Sequence, residues 1–138
     1  MLDAIIVDID GTVAKRNERG IHEYHRVHED SPHQKIIDLL HAISLARPRV
    51  RFIFVSGRPD SCFEATREWL WKNDLPVDAL LMRKTGDYRK DFIVKQEIYD
   101  EHIKGKYHVW FVLDDRNQVV DMWRENGLVC MQVASGNF

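Results

Sequence analysis

Apolar and polar residues fall in blocks along this chain, and the blocks predict alternating strands and helices. Ala4-Ile5-Ile6-Val7 is a short continuous apolar run, the pattern of a strand buried on both faces, and a first strand is expected over residues 3–8. Ser31, Pro32 and Gln34 offer a cap, a first-turn proline and a capping-box partner, so a helix is expected to start there. Its stripe is Ile36, Leu39, Leu40 and Ile43. Val50–Val55 reads as the second strand. Residues 61–73 follow as a helix with Phe63, Thr66 and Leu70 on one face beside Trp69. Asp78–Met82 is a short third strand, and a helix runs from about residue 91 to about Lys104. That helix has a muddled stripe: Val94 and Ile98, with Tyr99 and Ile103 alongside. Val109–Leu113 is the fourth strand. Val119, Val120 and Trp123 mark a helix that Gly127 ends, and Leu128–Val133 is the fifth strand.

Strand–helix alternation predicts an α/β fold: a Rossmann-like parallel sheet of about five strands with helices on both faces. Residues 14–30 break the pattern, being rich in charge and histidine without periodicity, and are expected to form a small flap after the first strand. With 138 residues and no repeat or linker, the chain reads as one domain. The four histidines His22, His25, His28 and His33 do not follow HExxH spacing and have no cysteine nearby, so a solvated flap is favoured over a zinc site.

Composition narrows the classes. The net charge of -2 argues against a protein that coats nucleic acid through a broad basic face. It leaves room for one that grips a single phosphate. No apolar run approaches the roughly 20 residues of a membrane span, and Cys62 and Cys130 suggest no disulfide framework, so a cytoplasmic setting is expected.

Chemistry gathers at the strand ends: Asp8 and Asp10 before Gly11, Ser56-Gly57-Arg58, the basic turn ending at Lys90, and Asp114-Asp115. In an open parallel sheet these ends share one edge, so the groups should converge on one crevice. Singly they are weak signals. Asp115 could merely cap a helix, and Ser-Gly-Arg is an ordinary turn. Together they match what phosphoryl transfer demands, namely positioning and charge neutralisation. Asp8 is the candidate nucleophile, giving an aspartyl-phosphate intermediate. Asp10 is the candidate acid/base. Ser56 and Lys90 would serve the phosphoryl oxygens and Asp8. Mg2+ would take Asp8 and Asp114 directly, with a backbone carbonyl near Asp10 as a third ligand and Asp115 as a ligand through water or an orienting group.

These motifs, Asp8-Ile-Asp-Gly-Thr-Val13, Val55-Ser-Gly57, Lys90 and Leu113-Asp-Asp115, resemble in order those of the haloacid dehalogenase-like phosphatases. Longer stretches resemble the 3′-phosphatase domain of phage polynucleotide kinase-phosphatase. They are Asp8–Lys15 with Arg19-Gly20, Val55–Arg58, Gly86–Asp91, Asp114–Arg124 and Gln132–Gly136. The resemblance implies a magnesium-dependent phosphatase acting on 3′-phosphorylated DNA or RNA ends, and on nucleoside 3′-monophosphates. It gives Asp8, Asp10, Asp114 and Asp115 the same roles, places Ser56, Gly57 and Lys90 at the phosphate, and implies that Arg19 and Arg58 hold substrate.

The chain has no GxxxxGK[ST] loop, so no kinase domain is expected in it. It would stand alone or work with a separate kinase or ligase chain, in the host cytoplasm if phage-encoded. Two alternatives stay open: a phosphatase of a small metabolite or 5′-nucleotide, and a non-catalytic module that binds nucleic-acid ends. Trp69, Trp110 and Trp123 read as core, whereas Trp71 or Tyr24 could stack on a base. Oligomeric state is not legible.

Overall fold

The protein is described by a computed structural model over residues 1–138. Five strands make a parallel sheet: β1 (Leu2–Val7), β4 (Arg51–Pro59), β5 (Ala79–Arg83), β6 (Tyr107–Asp114) and β7 (Cys130–Gln132). Between the first two lie β2 (Ala14–Lys15) and β3 (Ser31–Pro32), a small antiparallel pair. The helices are α1 (Gln34–Ala46), α2 (Phe63–Lys72), α3 (Asp91–His102) and α4 (Asn117–Glu125). Sheet order is β5-β4-β1-β6-β7, all parallel. Strand order reverses at β1, and such a switch point leaves a crevice at the carboxyl ends of the strands.

The apolar run of β1 is buried because both sheet faces are covered. Ala4 and Ile6 pack with Val94, Ile98, Val119 and Trp123 of α3 and α4. Ile5 and Val7 pack with Ile37, Leu40, Trp69 and Leu70 of α1 and α2. This is the strand's two-residue alternation read in three dimensions. No helix is long and apolar enough to cross a membrane.

Three expectations need correction. Ser31 and Pro32 pair with Lys15 and Ala14 instead of opening a helix, so α1 begins at Gln34 with His33 at its cap. Its buried positions are consequently Ile37 and Leu40, and Leu39 is 46% exposed. Trp110 is 38% exposed. The Ser-Gly-Arg turn is also absorbed into β4, which runs on to Pro59.

The flap is more ordered than its composition suggests. Asn17 and Ser31 bond each other across it, a 3-10 turn occupies Tyr24–Glu29, and Trp69 Nε1 donates to the Asp30 carbonyl at 2.9 Å.

Candidate active site

The strand ends do converge. A cleft of about 1160 Å³ is lined by Asp8, Asp10, Gly57, Arg58, Lys95 and Asp114, among others. Asp8 follows β1, Asp114 ends β6 and Asp115 follows it. These three buried carboxylates can bring one oxygen each within 4.8 Å of one another. Gly11 makes this approach possible. Its φ is +82°, and a Cβ there would overlap the Asp115 carboxylate.

One cation faces the cluster, and it is not Lys90. Lys95 Nζ donates to Asp8 Oδ1 at 2.7 Å and to Asp114 Oδ2 at 3.1 Å. Lys90 sits exposed at the cap of α3, more than one helical turn earlier. Residues four apart share a helix face. Lys95 therefore falls on the buried side with Val94, Ile98 and Tyr99, which explains the muddled stripe. The other contacts fix the carboxylates. Thr12 Oγ1 donates to Asp8 Oδ2 at 2.9 Å, and Trp123 Nε1 donates to Asp114 Oδ2 at 3.1 Å.

Three carboxylates against one ammonium leave an excess of negative charge. Burial, then Asp114 alongside, pushes Asp8 well above the usual carboxylate range. The same two causes push Asp115 up to about 6. Burial opposes the charge on Lys95, but Asp114 and Asp8 outweigh it and hold the ammonium firmly protonated. An all-oxygen, charge-deficient cluster of this kind fits a hard divalent cation.

Asp10 lies in different company. Arg58 grips it with both ends of its fork, Nε to Oδ2 at 3.0 Å and Nη2 to Oδ1 at 2.8 Å, and Arg19 Nη2 adds a bond at 3.2 Å. Burial works against its charge, but Arg58 and Arg19 prevail and hold Asp10 below the usual carboxylate range. Behind the arginines stands Asp30, buried, accepting from Arg19 Nε at 2.7 Å, Arg19 Nη2 at 2.9 Å and Arg58 Nη2 at 2.9 Å. The arginines expected to hold substrate are thus 2% and 1% exposed and engaged with Asp10 and Asp30.

Ser56 is buried, and its Oγ accepts the Arg58 amide at 3.1 Å. Gly57 is needed because a Cβ would strike Asp91. Asp91 in turn accepts from Arg83 and Arg116.

The cation, Asp30 and Asp91 were missed from sequence. Lys95 was visible only as a lysine four residues after Asp91 on the apolar side of a helix, and Asp30 only as an acid beside β3.

A family model described as "Polynucleotide kinase PNKP phosphatase domain" matches residues 2–138. A protein of Autographa californica nuclear polyhedrosis virus named "Putative bifunctional polynucleotide kinase/RNA ligase" is 34% identical over 124 residues, covering 88% of this chain and 18% of that protein. Two solved structures, "Structure of the Pnkp1/Rnl/Hen1 RNA repair complex" and "Structure of Pnkp1/Rnl/Hen1 complex", contain similar chains. Both are 42% identical, with TM-scores of 0.93 and 0.94, covering 99% and 100% of this chain and 44% and 48% of theirs. The chain thus spans under half the length of the relatives that it matches.

Proposed function

This chain belongs to the polynucleotide kinase PNKP phosphatase-domain family of phosphoric monoester hydrolases, and from that membership we propose that it removes 3′-phosphates from nucleic-acid ends. The observation that carries the reading is the pairing of Asp8, held by Lys95 and Thr12, with Asp10, held by Arg58 and Arg19, in one cleft. RNA repair and RNA ligase in the relatives' names support RNA ends as a substrate. A kinase or ligase activity is the corresponding partner.

In the first step an Asp8 oxygen attacks phosphorus and the bond to the 3′ oxygen breaks. Asp10 gives that leaving oxygen its proton. Arginine holds Asp10 ionised in the free enzyme, so the proton must arrive with substrate. A phosphate placed beside Asp10 raises its proton affinity by like charge. In the second step Asp10, ionised again, takes a proton from the water that attacks phosphorus of the Asp8 acyl phosphate. The bond from phosphorus to the Asp8 oxygen breaks, releasing inorganic phosphate and the free carboxylate. Lys95 keeps the Asp8 carboxylate oriented and offsets charge throughout. The Ser56 oxygen is occupied as an acceptor, which leaves its own proton to donate to a phosphoryl oxygen.

Asp8, Asp114 and Asp115 would hold Mg2+, with a backbone carbonyl near Asp10 as a further ligand. The cation would neutralise the phosphoryl oxygens and the acidic cluster.

The test is phosphate release from 3′- and 5′-phosphorylated RNA and DNA, nucleoside 3′-monophosphates and an aryl phosphate, with magnesium or EDTA. Release from 3′ ends, abolished by EDTA and by Asp8→Asn, is the expected result. An oligonucleotide left intact while other monoesters are cleaved contradicts the substrate assignment.

A further inference from the structure

The cleft is larger than a phosphate requires. Its volume of about 1160 Å³ is on the scale of sites that enclose whole small molecules. Part of its lining comes from the loop between β5 and α3, residues 84–90. That loop is braced. The Arg83 guanidinium donates to the carbonyls of Gly57, Asp87 and Arg89 at 2.7, 3.0 and 2.6 Å. Thr85 donates its amide and its hydroxyl to Asp60 at 3.0 and 2.6 Å.

On this braced loop the Tyr88 ring is 94% exposed and lines the cleft. A lone exposed aromatic needs no explanation. Here it coincides with a second feature two residues on. Lys90 lines the same cleft and joins none of the chain's ion pairs, whereas Arg89 between them is neutralised by Asp87 and Glu97. The loop therefore offers the cleft an aromatic face and an unpaired ammonium, while Arg89 is already engaged and Lys84 does not line the cleft.

We propose that Tyr88 and Lys90 form a nucleotide subsite, with Tyr88 stacking on a base near the substrate's 3′ end and Lys90 contacting the phosphodiester between its last two nucleotides. The subsite rests on the reading of the protein as a polynucleotide 3′-phosphatase and adds which part of the strand it recognises. Every base has a π face, so stacking of this kind tolerates any sequence. Because the loop backbone is already braced, the ordering cost of binding falls on the two side chains alone. Lys90, expected beside Asp8, thus acts on the strand instead of on the nucleophile.

The test compares wild type, Tyr88→Ala, Tyr88→Phe and Lys90→Ala on a 3′-phosphorylated oligonucleotide, a nucleoside 3′-monophosphate and p-nitrophenyl phosphate. Tyr88→Ala should raise KM for the oligonucleotide about tenfold more than for p-nitrophenyl phosphate, and Tyr88→Phe should restore it. Lys90→Ala should raise KM several-fold for the oligonucleotide relative to the mononucleotide, which lacks the phosphodiester. It should also flatten the salt dependence of oligonucleotide KM by roughly 0.7 in log–log slope. Equal losses on all three substrates, or no loss on the oligonucleotide, overturn the subsite. If wild type itself spares the oligonucleotide while hydrolysing p-nitrophenyl phosphate, the functional reading fails together with it.

Discussion

Asp8 and Asp10 stand two residues apart, yet the two sides of the cleft treat them in opposite ways. On the Asp8 side three buried carboxylates share a single lysine, and burial with Asp114 drives Asp8 upward. On the Asp10 side two arginines face that carboxylate, and Arg58 drives it downward. Identical side chains are thus shifted in opposite directions by their surroundings. For the proposed nucleophile Asp8 and acid/base Asp10 to act, a cation at the acidic cluster would bring Asp8 down and a phosphate beside Asp10 would bring it up. The Asp8 side is short of positive charge and invites a cation. The Asp10 side is complete, because Asp30 balances the second arginine.

The largest effect should come from breaking the Asp8 side. Lys95→Met leaves Asp8 and Asp114 buried without their partner, so the metal-free protein should lose about 3–5 kcal/mol of stability and nearly all turnover. Urea unfolding and a phosphate-release assay measure both. Lys90→Met should keep wild-type stability, and comparable unfolding of the two variants would contradict the assignment of the buried cation to Lys95.

Breaking the Asp10 side should cost less and mostly in kcat. Arg58→Lys cannot reproduce the two-pronged grip on Asp10. It should lower kcat by roughly 10²-fold for an alkyl leaving group, within the range for general acid catalysis. For p-nitrophenyl phosphate, whose leaving group needs no proton, the loss in the first step, read from the initial burst of p-nitrophenol, should be much smaller. Asp30→Asn should show the same substrate-dependent split more weakly. If Arg58→Lys instead raises KM equally for every substrate, Arg58 binds substrate and does not position Asp10.

Much of this site was legible in the chain because its carriers follow short apolar strands, and strand order alone brings Asp8, Ser56 and Asp114 to one edge. What was not legible depended on helix phase and on side-chain reach. Lys90 and Lys95 both lie near the start of α3, and only the packed direction of that helix decides which one points inward. Arg19 belongs to a segment with no periodicity, so nothing in the sequence announced that Trp69 and Asp30 would pin it down into the interior. Likewise Ser31 and Pro32 make a plausible helix start until the antiparallel partners Ala14 and Lys15 claim them.

The smallest effect is a shift in thermal stability with pH. Asp115, raised to about 6, contributes stability that is fully present below its unfolded value and is lost as pH rises through about 6. The metal-free protein should therefore weaken across that interval. Magnesium needs ionised carboxylates, so the rise in Tm that it produces should be larger at about pH 7.5 than at about pH 5. A rise that is equal at both, or larger in acid, would place the cation away from Asp8, Asp114 and Asp115.

Division of labour between the two aspartates is tested most directly by trapping the enzyme between the two steps. Asp10→Asn can still be phosphorylated by p-nitrophenyl phosphate but lacks the base for hydrolysis. Mixed with that substrate and magnesium, quenched in acid and analysed by peptide mass spectrometry, it should carry a phosphoryl group on Asp8. No phosphoryl adduct, or one located on any other residue, would contradict the account.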